Sequence, residues 1–126
     1  MEKRQLNIMV LDDEEIVGKR LRTALESSGY EVEVFQDSRQ AVERISERDF
    51  DIVVTDIRME EIDGMQVLDH VLKTSDRTKV IIITGYATVE VAREALTRGA
   101  FDFIAKPFRP ADLREVISRA AKELTG

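Results

Sequence analysis

Leu6-Asn7-Ile8-Met9-Val10-Leu11-Asp12-Asp13-Glu14 decides the fold: a nearly continuous apolar run that stops at paired acids. The same event recurs downstream. Ile52-Val53-Val54-Thr55 ends at Asp56, Val80-Ile81-Ile82-Ile83 at Thr84, and Phe101-Asp102-Phe103-Ile104-Ala105 at Lys106. Short apolar runs rich in β-branched residues suit central strands of a parallel sheet, buried on both faces. Glu31-Val32-Glu33-Val34-Phe35 alternates strictly instead, and the last run carries Asp102 inside it, so these two read as edge strands.

Helical stripes lie between the runs. Ile16, Val17, Leu21, Ala24 and Leu25 share one predicted face, and Ala41, Val42 and Ile45 another. Met65, Leu68, Val71 and Leu72 follow, then Val91, Ala92, Ala95 and Leu96. Last come Leu113, Val116, Ile117, Ala120, Ala121 and Leu124, at three- and four-residue steps. Gly29 and Gly99 stand where helix C-terminal caps belong, Ser38, Asp63 and Thr88 where N-caps belong, and Pro110 near a first turn. The order is βαβαβαβαβα, an α/β, doubly wound, five-stranded parallel sheet. Right-handed crossovers with the second and fifth strands at the edges give the order 2-1-3-4-5 and a switch point between strands one and three.

At 126 residues the chain is expected to be one domain, residues 1–126, with one core. Its 43% hydrophobic and 35% charged residues suit a globular protein, and no run is long enough to span a membrane. A net charge of −6 argues against direct nucleic-acid binding, which needs a basic surface. The absence of cysteine excludes disulfides and thiolate metal sites and is consistent with a cytoplasmic location.

The carboxyl ends of parallel strands share one rim, so Asp12, Asp13, Asp56, Thr84 and Lys106 are expected in one pocket. Three carboxylates kept ionised together require a cation, and Mg²⁺ (or Mn²⁺) is the hard, oxygen-seeking choice. Asp12, Asp13 and Asp56 would hold it, joined by the backbone carbonyl of Arg58. Asp56, on the middle strand of the rim, is placed as a nucleophile that attacks phosphorus to give an aspartyl-phosphate. Lys106 would offer a point charge to a phosphoryl oxygen and Thr84 a hydroxyl. These three form the expected catalytic set.

Five fragments carry a resemblance. Val10-Leu11-Asp12-Asp13-Glu14, Val53-Val54-Thr55-Asp56-Ile57-Arg58-Met59, Asp63-Gly64, Ile83-Thr84-Gly85-Tyr86-Ala87 and Ala105-Lys106-Pro107-Phe108 stand in an order and spacing similar to the receiver domains of bacterial two-component response regulators. The resemblance runs from about Gln5 to Leu124. It implies that a histidine kinase or phosphotransfer protein supplies a phosphoryl group to Asp56, and that the domain then hydrolyses it. Thr84 and Phe103 are implied to form a switch that reshapes the fourth helix, fifth strand and fifth helix. Lys106-Pro107 is implied to be a cis peptide. Tyr86-Ala87-Thr88-Val89-Glu90 and Gly99-Ala100-Phe101-Asp102-Phe103 further resemble receivers attached to enhancer-binding transcriptional activators, which makes transcription the implied output.

One departure stands out. Relatives commonly have proline after the methionine matching Met59, whereas this chain has Glu60 and Glu61. A looser loop around Arg58 is expected. Arg58 and Tyr86, each two residues beyond a pocket residue, are expected to flank its mouth, with the Tyr86 ring hindering hydrolytic water. His70 and the charges Arg93, Arg98, Arg114 and Arg119, interspersed with Glu94, Asp112 and Glu115, read as solvated; mixed charge on the last two helices is compatible with a homodimer. Two other classes fit less well. A phosphatase would want a second acid where Arg58 stands, and a flavin carrier's phosphate would be repelled by Asp12-Asp13-Glu14-Glu15.

Overall fold

The structure, a computed structural model, describes residues 5–125. Strands and helices alternate as β1 Asn7–Leu11, α1 Glu15–Ser27, β2 Glu31–Phe35, α2 Ser38–Glu47, β3 Ile52–Asp56, α3 Gly64–Thr74, β4 Lys79–Thr84, α4 Val89–Thr97, β5 Asp102–Ala105 and α5 Pro110–Thr125. All strand pairs are parallel and the order is β2-β1-β3-β4-β5, as the apolar runs predict.

Strand alternation divides the core in two. Met9, Leu11, Val53 and Ile82 point to one face, against Ala41, Ile45, Leu68, Val71 and Ala95 of α2, α3 and α4. Ile8, Val10, Val54, Ile81 and Ile83 point to the other, against Leu21, Leu25, Leu113, Ile117 and Ala120 of α1 and α5. Each fully buried aliphatic side chain contributes roughly 1.5–3 kcal/mol, so the central strands anchor the rim above them. Edge strands β2 and β5 are only part-buried, matching their charged residues.

The ends of the helices follow local chemistry. Gly29 and Gly99 have φ of 95° and 109°, the left-handed conformation that stops α1 and α4. Asp63 caps α3 in a capping box with Gln66, and Thr88 caps α4. Ser38 is not the cap of α2. Asp37 Oδ1 accepts from the backbone N–H groups of Arg39 and Gln40, because a carboxylate one residue earlier outcompetes a hydroxyl for those donors. Ser38 becomes the first helical residue, buried, and its hydroxyl donates to the Glu60 carbonyl at 3.0 Å.

Other expectations need correction, among them Leu96, placed on the apolar face of α4 yet 48% exposed, and Arg119, which pairs with Asp102 at 2.7 Å. Ile16 is 54% exposed; at 3.6 residues per turn it lies about 140° from Leu21 and about 180° from Leu25, off the stripe. Arg98 is not simply solvated: its guanidinium holds Asp69 on α3 and Glu94 on its own helix. His70 is half-buried, with Nε2 3.3 Å from the Ser46 hydroxyl across α2 and α3. α4 itself is lightly seated, since Ala95 is its one fully buried residue and Val89 and Leu96 face outward.

Candidate functional site

Asp12 and Asp13 directly follow β1, Asp56 and Thr84 end β3 and β4, and Lys106 directly follows β5. β1 and β3 are hydrogen-bonded neighbours on either side of the switch point, which brings the acids of the two strands together. Asp12, Asp13, Glu14 and Asp56 each offer a carboxylate oxygen within 4.8 Å of the others. Glu14 is the member that sequence reasoning did not place in the site. Its position directly after Asp12-Asp13 was the available signal.

Lys106 binds this cluster together. Its Nζ lies 2.7 Å from Asp12 Oδ2, 2.8 Å from Asp56 Oδ2 and 3.2 Å from Glu14 Oε1. Burial of the ammonium works against its charge, but the carboxylates of Asp12 and Asp56 outweigh that and hold it protonated well above the ordinary lysine range. For Asp12 the balance goes the other way. Its burial raises the carboxyl pKa above the usual aspartate value, despite the opposing contacts with Lys106 and the Glu14 N–H. Asp12 Oδ1 accepts that N–H at 2.9 Å. Oδ2 faces the Lys106 charge off the hydrogen-bonding direction and has no hydrogen-bond partner among the described residues.

Neither aspartate is used up as a helix cap: the N-cap of α1 is Glu14, and its side chain makes no capping bond. A buried carboxylate oxygen without a hydrogen bond, in an all-oxygen cluster, fits a hard divalent cation. Asp12, Asp13, Asp56 and Glu14 could hold one. Because burial raises the Asp12 pKa in the folded protein, its ionised form costs stability at neutral pH in the absence of an ion. Asp12→Asn is therefore expected to raise the stability of the metal-free protein, by on the order of 1 kcal/mol. Thermal denaturation in EDTA reads the change, and a lower melting temperature would contradict this account of Asp12.

Asp56 is held on both sides. Its Oδ1 accepts from the Ile57 N–H at 2.7 Å, and Oδ2 meets Lys106. Beneath it, α3 begins at Gly64, whose N–H donates to the Ile57 carbonyl at 2.8 Å. A Cβ at Gly64 would stand 2.1 Å from the Asp56 carbonyl oxygen. Thr84 is fully buried, and its Oγ1 accepts from the Tyr86 N–H at 3.0 Å, which leaves its proton to donate elsewhere. The Lys106 N–H in turn donates to the Thr84 carbonyl, and Lys106-Pro107 is cis.

The Arg58 guanidinium stacks on the Tyr86 ring, 3.4 Å from its centroid, joining the β3–α3 and β4–α4 loops. Such a contact is worth roughly 0.5–1 kcal/mol where exposed. The sequence placed each residue near the pocket but not against the other. The loop near Arg58 is also not left free by the missing proline: the Glu60 carbonyl accepts from both the Ser38 hydroxyl and the Ile62 N–H. Phe103 is half-buried on β5 and packs against the edge of the core that includes Ile82 and Ala95.

Comparison with known proteins agrees with this geometry. Residues 8–118 match the response regulator receiver domain. The regulatory protein AtoC of Escherichia coli is 40% identical over 113 residues, covering 90% of this chain and 24% of AtoC. The chain spans about a quarter of the length of the curated relatives it matches. A CheY-like receiver domain protein from Methanospirillum hungatei superimposes with a TM-score of 0.91 at 30% identity, covering 96% of this chain and 97% of that one. The beryllofluoride-activated NtrC4 receiver domain dimer gives a TM-score of 0.88 at 33% identity, covering 94% and 98%. With the sheet order, the acid cluster and these matches in agreement, the chain belongs to the receiver domains of two-component response regulators, and is similar to those of transcriptional activators such as AtoC.

Proposed function

We propose that this domain takes up one phosphoryl group on Asp56 from a histidine kinase or phosphotransfer protein, and later releases it as inorganic phosphate. The observation that carries this reading is the meeting of Asp12 and Asp56 on the Lys106 ammonium, at 2.7 and 2.8 Å, with the Asp13 carboxylate in the same cluster. An Asp56 carboxylate oxygen attacks phosphorus; the O–P bond forms as the P–N bond of a phosphohistidine breaks, and the electron pair leaves with the imidazole. The attacking group is already ionised, so no general base is required.

Asp12, Asp13, Asp56 and the Arg58 carbonyl would hold Mg²⁺ or Mn²⁺, and Glu14 stands beside them. When bound, that ion supplies charge neutralisation at the phosphoryl oxygens. Lys106 moves its ammonium from Asp56 to a phosphoryl oxygen, and Thr84 turns its free proton toward the same group. Hydrolysis by water restores the carboxylate.

The test is incubation of the chain with Mg²⁺ and acetyl phosphate, followed by intact mass spectrometry. A single phosphate adduct that EDTA prevents is the expected result; an adduct indifferent to EDTA would refute the metal's part in it. Mg²⁺ should also raise the melting temperature by mass action, since it binds the folded protein alone.

Arg58 and Tyr86 set how long the group stays. Their stacked pair narrows the approach of water in line with the O–P bond. Tyr86→Ala is expected to accelerate phosphate release several-fold, measured as decay of the adduct after removal of acetyl phosphate. An unchanged decay rate would remove Tyr86 from this role.

The output follows from Thr84 and Phe103. Movement of the Thr84 hydroxyl vacates space that the half-buried Phe103 ring can occupy, and α4, β5 and α5 readjust. The exposed Val89 and Leu96 on α4 support this surface as the contact for a second copy, as a homodimer, or for an attached effector. Similarity to receivers of transcriptional activators makes transcription the process served, in the cytoplasm, with no DNA contact by this domain itself.

A further inference from the structure

Ser38 sits on α2, outside the acid cluster, yet it reaches the loop that carries Arg58. Its side chain is buried, at 3% exposure, and its hydroxyl donates to the Glu60 carbonyl at 3.0 Å, across 22 residues of chain. The same carbonyl accepts the Ile62 N–H at 2.8 Å. Glu61, between them, has a φ of 67°, a left-handed backbone that a residue with a Cβ adopts only under constraint. A second tie joins the same two segments, from Arg39 to Glu61 at 3.0 Å, but both partners are more than half exposed and it contributes little. Ser38 is free for this task because Asp37 caps the helix.

We propose that Ser38 is a positioning residue for the metal: by holding the Glu60 carbonyl it fixes the 57–62 loop, and with it the Arg58 carbonyl. This rests on the phosphoacceptor reading above and adds to it a residue from an element that contributes nothing else to the pocket. The physical argument is preorganisation. A carbonyl offered from a loop pinned two residues away costs less ordering on ion binding than one offered from a free loop, and supporting hydrogen bonds around metal ligands carry a large share of affinity.

The experiment is titration of the unphosphorylated chain with Mn²⁺, following the free ion by electron paramagnetic resonance. Ser38→Ala is expected to weaken Mn²⁺ binding by about tenfold. Ser38→Cys keeps the shape, with a slightly larger atom and a poorer donor; it should weaken binding in the same direction, and serves if the alanine variant does not fold. Glu43→Gly lies on the exposed face of α2; it loosens that helix without touching the loop and should bind Mn²⁺ as the wild type does. Unchanged affinity in the Ser38 variants, or an equal loss in Glu43→Gly, would overturn the proposal. A wild-type chain that bound no Mn²⁺ would instead strike the phosphoacceptor reading itself, and this inference with it.

Discussion

Asp56→Asn protein, incubated with Mg²⁺ and acetyl phosphate, is expected to show no phosphate adduct by intact mass. The amide matches the carboxylate in size, so packing at the end of β3 is retained, and its oxygen can still accept the Ile57 N–H that Asp56 Oδ1 accepts at 2.7 Å. What is lost is the negatively charged oxygen that would attack phosphorus, together with one of the carboxylates that would hold the ion. A fall in the rate of uptake of at least about a thousandfold, equivalent to roughly 4 kcal/mol of transition-state stabilisation, is expected. The comparison variant is Asp13→Asn, which keeps the nucleophile and thins the metal site; it should accept phosphate slowly and require more Mg²⁺. An undiminished adduct on Asp56→Asn would move the phosphoacceptor elsewhere and end the account of this pocket.

Gly64→Ala should be the most damaging single methyl that can be added near the site. The added carbon would stand 2.1 Å from the Asp56 carbonyl oxygen, 2.8 Å from the Ile57 Cα and 2.9 Å from the Asp56 carbonyl carbon. All three obstacles are backbone, and none can rotate away. α3 must therefore lift off β3, or β3 must bend at Asp56. A loss of about 3 kcal/mol or more is expected, a large part of the ~5–15 kcal/mol that holds a domain of this size folded. Gly18→Ala provides the comparison, because its methyl meets a side chain, Val34 Cγ1 at 2.6 Å, rather than backbone, and should cost less. Urea denaturation of both variants measures the difference. A Gly64→Ala midpoint equal to that of wild type would show that α3 is not pressed against the Asp56 backbone.

The sheet order was legible because β1, β3 and β4 are written as near-continuous aliphatic runs while β2 and β5 carry charge, and burial follows that distinction residue by residue. The gathering of Asp12, Asp56 and Lys106 was legible for the same reason: strand ends in a parallel sheet share a rim. Periodicity failed at Ile16, which lies about 140° around the helix from Leu21 and faces solvent. The cap of α2 falls one residue earlier than expected because Asp37 and Ser38 are both good caps; the carboxylate takes the helix N–H groups, and the Ser38 hydroxyl is engaged by the Glu60 carbonyl. That bond, the Arg58–Tyr86 stack and the grip of Arg98 on Asp69 join segments distant in sequence. Each pairs residue types common on any surface, so nothing in the linear pattern marks them.

The grip of Arg98 on Asp69 has a consequence for how α4 is held. A helix fastened mainly by apolar burial is indifferent to the ions around it. α4 sinks one alanine fully into the core, packs Val91 part-buried beside it, and adds a half-exposed guanidinium–carboxylate pair to its neighbour α3. Dissolved electrolyte weakens such a pair over a few ångströms of solvent while leaving the aliphatic core untouched. Rising ionic strength is thus expected to ease this tie between α3 and α4 while the aliphatic contacts beneath it persist.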